Sequence, residues 1–274
     1  MTQYLFDENG IRYRLYKSNP GKNFNWLFIP GGPGADSRYL TSLIDTIDVP
    51  GNQWLVDFPG NGDNPCPSDY NHNQWLDIFV PMVSRFKNVV IVGHSCGAQI
   101  PLLLPELEDQ ISGFIALNST PSLWLEEAAK RALADKLPDL RDEMSAFTAN
   151  PNSKTFETAL AACMPYYFPA FSMERGQKLL LGLPFQFAAA GWWQQKAIEI
   201  AFSAKWIPQK VPMLVIGAAF DYITPYSIYE NDRRFNRPNI KMVQIEQAGH
   251  LPWVEQPETV RSLFSDFHNS VSLA

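Results

Sequence analysis

The sequence predicts an α/β fold: a mostly parallel central sheet flanked by helices, with a helical cap insertion. Three observations predict it. Short apolar runs alternate with helical patterns, the rhythm of strand–helix–strand units. That rhythm stops at about Thr120 and resumes after about Trp206. Between one apolar run and the helix-like run behind it stands Gly93-His94-Ser95-Cys96-Gly97, a Gly-x-Ser-x-Gly in the strand–turn–helix setting of a nucleophile elbow.

Taken in order, Ile11 to Tyr16 reads as an early strand, and Asn25-Trp26-Leu27-Phe28-Ile29 as a buried one ending in Pro30-Gly31-Gly32-Pro33-Gly34. Ser37 to Thr46 has a helical pattern. Gln53 to Phe58 is a strand followed by the loop Pro59-Gly60-Asn61-Gly62-Asp63. Trp75 to Phe86 is helix-like, with Pro81 as an internal breaker. Val89 to Val92 is the strand before the elbow, and Ala98 to Leu104 the helix-like run after it. Gly113 to Leu117 is the next strand. From 120 to 206 no strand pattern occurs; the segment is helical and aromatic, with Trp124, Phe147, Phe156, Phe185, Phe187, Trp192 and Trp193 among its rings. Strands resume at Pro212–Gly217 and Ile240–Ile245, and a last helix runs from about Pro257 to His268. The expected division is a core of 1–119 plus 207–274 and a cap of 120–206.

The elbow glycines have a steric reason. The serine sits in a strained turn, and side chains on either side of it would collide. The turn exposes the Ser95 hydroxyl beside the free N–H groups of the helix start. A serine hydroxyl needs a base to remove its proton, and the base is usually a histidine oriented by a carboxylate. Of the four histidines, His250 stands in Ala248-Gly249-His250, just after a late strand. Asp221 follows the strand before that one. Loops at the carboxyl ends of parallel strands share one rim, so Ser95, Asp221 and His250 are expected together, in the chain order of this architecture. Asn118 occupies the place of an alternative acid, and Asp57, also at a strand end, fits the order less well. His94 is expected to pack or hydrogen-bond at the elbow, His72 to lie at the surface or cap a helix, and His268 to be solvated. The oxyanion donors are expected to be the N–H of Cys96 and that of Gly32, with Gly31 as the next possibility and Pro33 stiffening the loop.

A net charge of −6 leaves no basic footprint for nucleic acid. The N-terminus, from Met1 on, lacks a basic start and an apolar signal core. The most apolar long stretch, Leu179 to Trp193, falls short of the ~20 residues of a membrane span. Three widely spaced cysteines, Cys66, Cys96 and Cys163, suggest neither a disulfide framework nor a zinc site and fit a reducing cytoplasm. No metal or organic cofactor is expected. The expected partner is a small molecule or short peptide as substrate, and oligomeric state is left open.

Over almost its full length the chain resembles the α/β-hydrolase superfamily. The matching pieces are Pro30-Gly31-Gly32-Pro33-Gly34, Asp57-Phe58-Pro59-Gly60-Asn61-Gly62, Gly93-His94-Ser95-Cys96-Gly97, Asp221 and Ala248-Gly249-His250, with Pro252-Trp253-Val254-Glu255-Gln256-Pro257 behind. Within it, Gly-Gly-Pro-Gly is similar to the proline iminopeptidase group, although Pro30 stands where that group carries histidine. The resemblance implies a cap over the site and cap carboxylates that bind a substrate amine. Glu126, Glu127, Glu143, Glu157 and Glu174 are the carboxylates available there, each read as a solvated helix-face charge. The leading expectation is a serine hydrolase of small amides or peptides. Next come an esterase or a related hydrolase of esters, lactones or carbon–carbon bonds, then a lyase using the same residues, then a binding protein that keeps the fold.

Overall fold

A computed structural model of the protein describes residues 4–21, 24–32 and 34–273. The expectations that rest on Met1 to Gln3 and on Pro33 lie outside them. Eight strands form one sheet: β1 (Leu5–Phe6), β2 (Arg12–Asn19), β3 (Asn25–Ile29), β4 (Gly51–Asp57), β5 (Val89–His94), β6 (Gly113–Leu117), β7 (Met213–Ala218) and β8 (Ile240–Ile245). Their spatial order is β1-β2-β4-β3-β5-β6-β7-β8. β1 and β2 pair antiparallel at one edge, and every pairing from β4 to β8 is parallel.

The central strands are buried on both faces, which is why they read as continuous apolar runs. Their side chains still alternate. Leu27, Ile29, Val89, Ile91, Phe114, Ala116, Met213 and Val215 belong to one core. Trp26, Phe28, Val90, Val92, Ile115, Leu117, Leu214 and Ile216 belong to the other. α2 (Gln74–Val83) covers the first face with Trp75, Phe79, Met82 and Val83, a helical stripe that ends just past Pro81. α1 (Thr41–Thr46) and the last helix cover the second face. The last helix (Pro257–Leu273) buries Val260, Leu263, Phe264, Phe267 and Val271.

Some local expectations are corrected. The run after the elbow is not one helix: α3 (Cys96–Gln99) is a single turn, followed by 3-10 turns at Pro101–Leu103 and Pro105–Asp109. Pro101 and Pro105 lack the N–H that a continuing helix requires. β1 is too short to show a period. His72 is not a surface residue: it is 7% exposed, sandwiched against Trp75 and Trp192. His268 is half-buried against Phe24 and Trp26 rather than solvated.

Between β6 and β7 lie α4 (Leu125–Ala134), α5 (Arg141–Ala149), α6 (Ser153–Tyr167), α7 (Met173–Leu180) and α8 (Phe187–Glu199). α8 is tied to the core through Trp193, whose Nε1–H donates to Gln99 Oε1 at 2.7 Å. Just before α8, Gln186 N–H donates to Gly34 O at 3.0 Å. α5 buries none of its residues. Among the described residues no helix is long and apolar enough to cross a membrane.

Candidate active site

Ser95 joins β5 to α3 with φ 55° and ψ −125°, a conformation that costs a non-glycine residue about 1–3 kcal/mol. The surroundings hold it there. Its N–H donates to Leu117 O at 3.0 Å, and Ser119 Oγ donates to its carbonyl at 2.8 Å. The flanking glycines leave no space for side chains. A Cβ on Gly93 would lie 2.5 Å from Ala98 Cα, and one on Gly97 would lie 2.5 Å from the carbonyl oxygens of Ile29 and Pro30.

The loop after β3 passes directly over this turn: a Cβ on Gly31 would sit 2.6 Å from Ser95 Cβ. Gly31 N–H donates to Tyr39 Oη at 2.7 Å, so that N–H is already engaged. The φ of +122° at Gly32 belongs to the glycine-favouring region and turns the chain there. Of the two glycines considered as oxyanion donors, Gly32 keeps the stronger claim. Tyr39 Oη also lies 2.7 Å from His94 Nδ1, and His94 Nε2 lies 2.9 Å from His250 O. A carbonyl only accepts, so Nε2 carries the proton and Tyr39 O–H donates to Nδ1. Burial, then the nearby charge of His250, push His94 down to about 3, which keeps it neutral. His94 thus acts as a bridge from the glycine loop to the His250 backbone. Tyr39→Phe would leave the buried Gly31 N–H and His94 Nδ1 without partners. We expect it to cost about 1–3 kcal/mol, read as a lower urea midpoint with unchanged slope.

Asp221 is fully buried, and five donors converge on it. Oδ1 accepts from the N–H groups of Ile223 (2.9 Å) and Thr224 (3.0 Å). Oδ2 accepts from Thr224 Oγ1 (2.7 Å), Asn118 Nδ2 (2.9 Å) and His250 Nδ1 (2.9 Å). Burial alone would raise the carboxyl, but the His250 charge and these hydrogen bonds outweigh it and hold it at about 2. The bond fixes His250 with its proton on Nδ1 and leaves Nε2 as the basic nitrogen. Ser95 and His250 line the same cavity. Among the described residues no hydrogen bond joins Ser95 Oγ to the His250 ring, a gap common before substrate closes such a site. Tyr39 and Thr224 escaped the sequence reading, and Asn118 was read only as standing in the place of an alternative acid, not as a donor to Asp221. Thr224 carried a signal, since a hydroxyl residue three places after an aspartate can close an Asx-type turn.

Other candidates fall away from this centre. Asp57 is engaged by Arg12, whose Nη2 lies 2.9 Å from Oδ2, and by the N–H of Ser37. Cys96 is buried beside Ser95, and burial pushes its thiol well up, away from the reactive thiolate. The cavity over Ser95 measures about 1350 Å³ and runs beneath α4–α8. None of the five insertion glutamates lines it. Its charged lining residues are Asp139 and Arg141, which pair with each other at 2.8 Å. The rest of the wall is mostly apolar and includes Phe147, Phe156, Phe185 and Phe187.

Comparison with known proteins bears on this arrangement. Residues 26–263 match the family described as "Alpha/beta hydrolase family". A proline iminopeptidase of Clostridioides difficile (strain 630) is 24% identical over 279 residues, covering 94% of each chain. A proline iminopeptidase of Saccharolobus solfataricus is 29% identical over 136 residues, 47% of this chain and 44% of that relative. A putative esterase/lipase of Mycoplasma genitalium is 24% identical over 232 residues, 80% of this chain and 82% of that one. Among solved structures, a proline iminopeptidase-related protein of Thermus thermophilus superposes with a TM-score of 0.71 at 17% identity, covering 99% of this chain and 98% of that one.

Proposed function

Because the chain belongs to the alpha/beta hydrolase family, we propose that Ser95, Asp221 and His250 are its catalytic triad and that it hydrolyses carboxylic esters with a large apolar acyl group. Ser95 Oγ attacks the acyl carbon while His250 Nε2 takes its proton. Asp221 holds the imidazole in the required tautomer and stabilises its charged form. The N–H groups of Cys96 and Gly32 receive the oxyanion, and His250 then protonates the departing alkoxide. Water, deprotonated by the same nitrogen, releases the acyl group from Ser95.

The observation that carries the ester reading is the chemistry of the cavity wall. An amine-terminated substrate buried there calls for an unpaired carboxylate, and the charged residues lining the cavity are a mutually bonded Asp139–Arg141 pair. Binding cavities commonly span about 300–1000 Å³, so about 1350 Å³ leaves room for a substantial acyl group. Its place follows from the mechanism: the leaving group must face His250, and the acyl group extends away from it. Along the cavity wall, Phe185 is bridged to Ala35 beside the glycine loop. Phe156 stacks on Phe185 with centroids 4.0 Å apart, and Phe147 and Phe187 pack against Phe156. These four rings are our acyl subsite.

The second reading, an aminopeptidase for N-terminal proline, is favoured by the relatives that carry that name. A nitrophenyl ester series from acetate to octanoate, run beside a proline anilide, separates the two. We expect kcat/KM to rise with acyl length by about threefold or more per buried methylene, with slow anilide turnover. Fast anilide turnover that is lost on blocking the amine would reverse the assignment.

A further inference from the structure

Helices inserted over a cavity of this kind invite the picture of a separate cover. Here, however, they are bonded to both loops that carry Asp221 and His250. On α4, Arg131 Nη1 donates to Asp221 O at 3.2 Å, and Nη2 donates to Ala219 O. The same guanidinium lies 4.8 Å from the Tyr222 ring centroid. Tyr222 N–H donates to Tyr166 O at 3.1 Å, and Tyr222 Oη donates to Asp135 Oδ2 at 2.8 Å. At the end of α6, Tyr167 O accepts from His250 N–H at 2.7 Å. The Tyr167 ring stands perpendicular to the imidazole, with centroids 5.1 Å apart. A Cβ on Gly249 would lie 2.1 Å from Tyr167 O, so the approach requires glycine at that position.

We propose that Arg131 and Tyr167 are positioning residues for the reaction. Arg131 holds the Asp221 loop through two main-chain carbonyls. Tyr167 holds His250 through its N–H and one side of its ring. The inference rests on the triad reading above. Its physical basis is that the acid and base sit on separate loops, over which the sheet has limited control. Reacting groups must stay within about 0.5 Å of their working geometry, and a displacement of about 1 Å can cost about 100-fold in rate. The insertion supplies the constraint from above, so the helices that enclose the substrate also align Asp221 with His250.

The test is the rate at which a fluorophosphonate labels Ser95, followed by intact mass, because it needs no knowledge of the natural substrate. In Tyr167→Ala and Arg131→Ala we expect labelling slowed by about 10- to 100-fold. Tyr167→Phe keeps the ring and the carbonyl and should rescue most of the rate. If Arg131→Ala does not fold, Arg131→Lys, which loses the two-carbonyl fork, should still label slowly. Folded alanine variants that label at the parental rate would overturn the inference while leaving the triad intact. Equal slowing in Tyr167→Phe and Tyr167→Ala would place the effect in the hydroxyl and overturn it too. Failure of the parental protein to label would remove the triad reading and this inference with it.

Discussion

Ser95→Ala is expected to lower kcat on the best ester of the series by about 10⁴- to 10⁶-fold and to abolish fluorophosphonate labelling. The reason is chemical rather than conformational. Alanine meets the same restriction as serine at φ 55°, so the turn keeps its strain and the cavity its walls. What disappears is the atom that forms the acyl-enzyme in the proposed mechanism. The neighbouring Cys96 thiol cannot substitute, since it is buried and held protonated. Residual catalysis would come from the oxyanion donors alone. Turnover within tenfold of the parental protein, with unchanged thermal stability, would exclude Ser95 as the nucleophile.

Asp221→Asn is expected to lower kcat by about 10⁴-fold at pH 7 and to destabilise the fold. All five groups that contact the carboxylate are donors, and a carboxylate accepts from every one. An amide would turn its own NH₂ toward at least one of them, leaving buried donors unpaired at about 1–3 kcal/mol each. A further signature lies in acid. The Asp221 carboxyl sits at about 2 in the fold against an ordinary 3.8. A depressed acid stabilises the fold fully above its unfolded value, and that contribution is lost as pH falls through the folded value. For Asp221 it amounts to about 2 kcal/mol, lost between about pH 4 and pH 2. Urea unfolding at pH 7 and pH 3 should show a smaller acid loss in Asp221→Asn than in the parental protein. Equal losses would contradict the assigned charge.

Much of this centre is legible in the sequence because its requirements are local. Gly93 is set by contacts within the turn, Gly97 by the carbonyls of Ile29 and Pro30 where β3 gives way to its loop, and Ser95 stands between them. β3, β5, β6 and β7 announce themselves as buried apolar runs. The break after the elbow was missed, although Pro101 stands inside the run read as helical and Pro105 directly behind it. His72 shows the opposite case. It lies in a polar stretch, yet it is buried by Trp192, 120 residues further along. Nothing local marks Arg131 either: on an amphipathic helix it resembles any solvated charge, and its partners are carbonyls, which every residue has.

The sequence by itself therefore determined the alternation of strands and helices, the presence of a helical insertion, and the serine turn between a strand and a helix. Each depends on periodicity or on steric demands spanning a few residues. Only the tertiary structure decided that Tyr39 engages Gly31, that Asn118 joins the shell around Asp221, that Asp139 and Arg141 come to line the cavity, and that α4 and α6 reach the loops of Asp221 and His250. The contacts of Asn118, α4 and α6 cross between loops or layers far apart in the chain. They arise from how the helices seat on the sheet, and no local pattern of side chains encodes that seating.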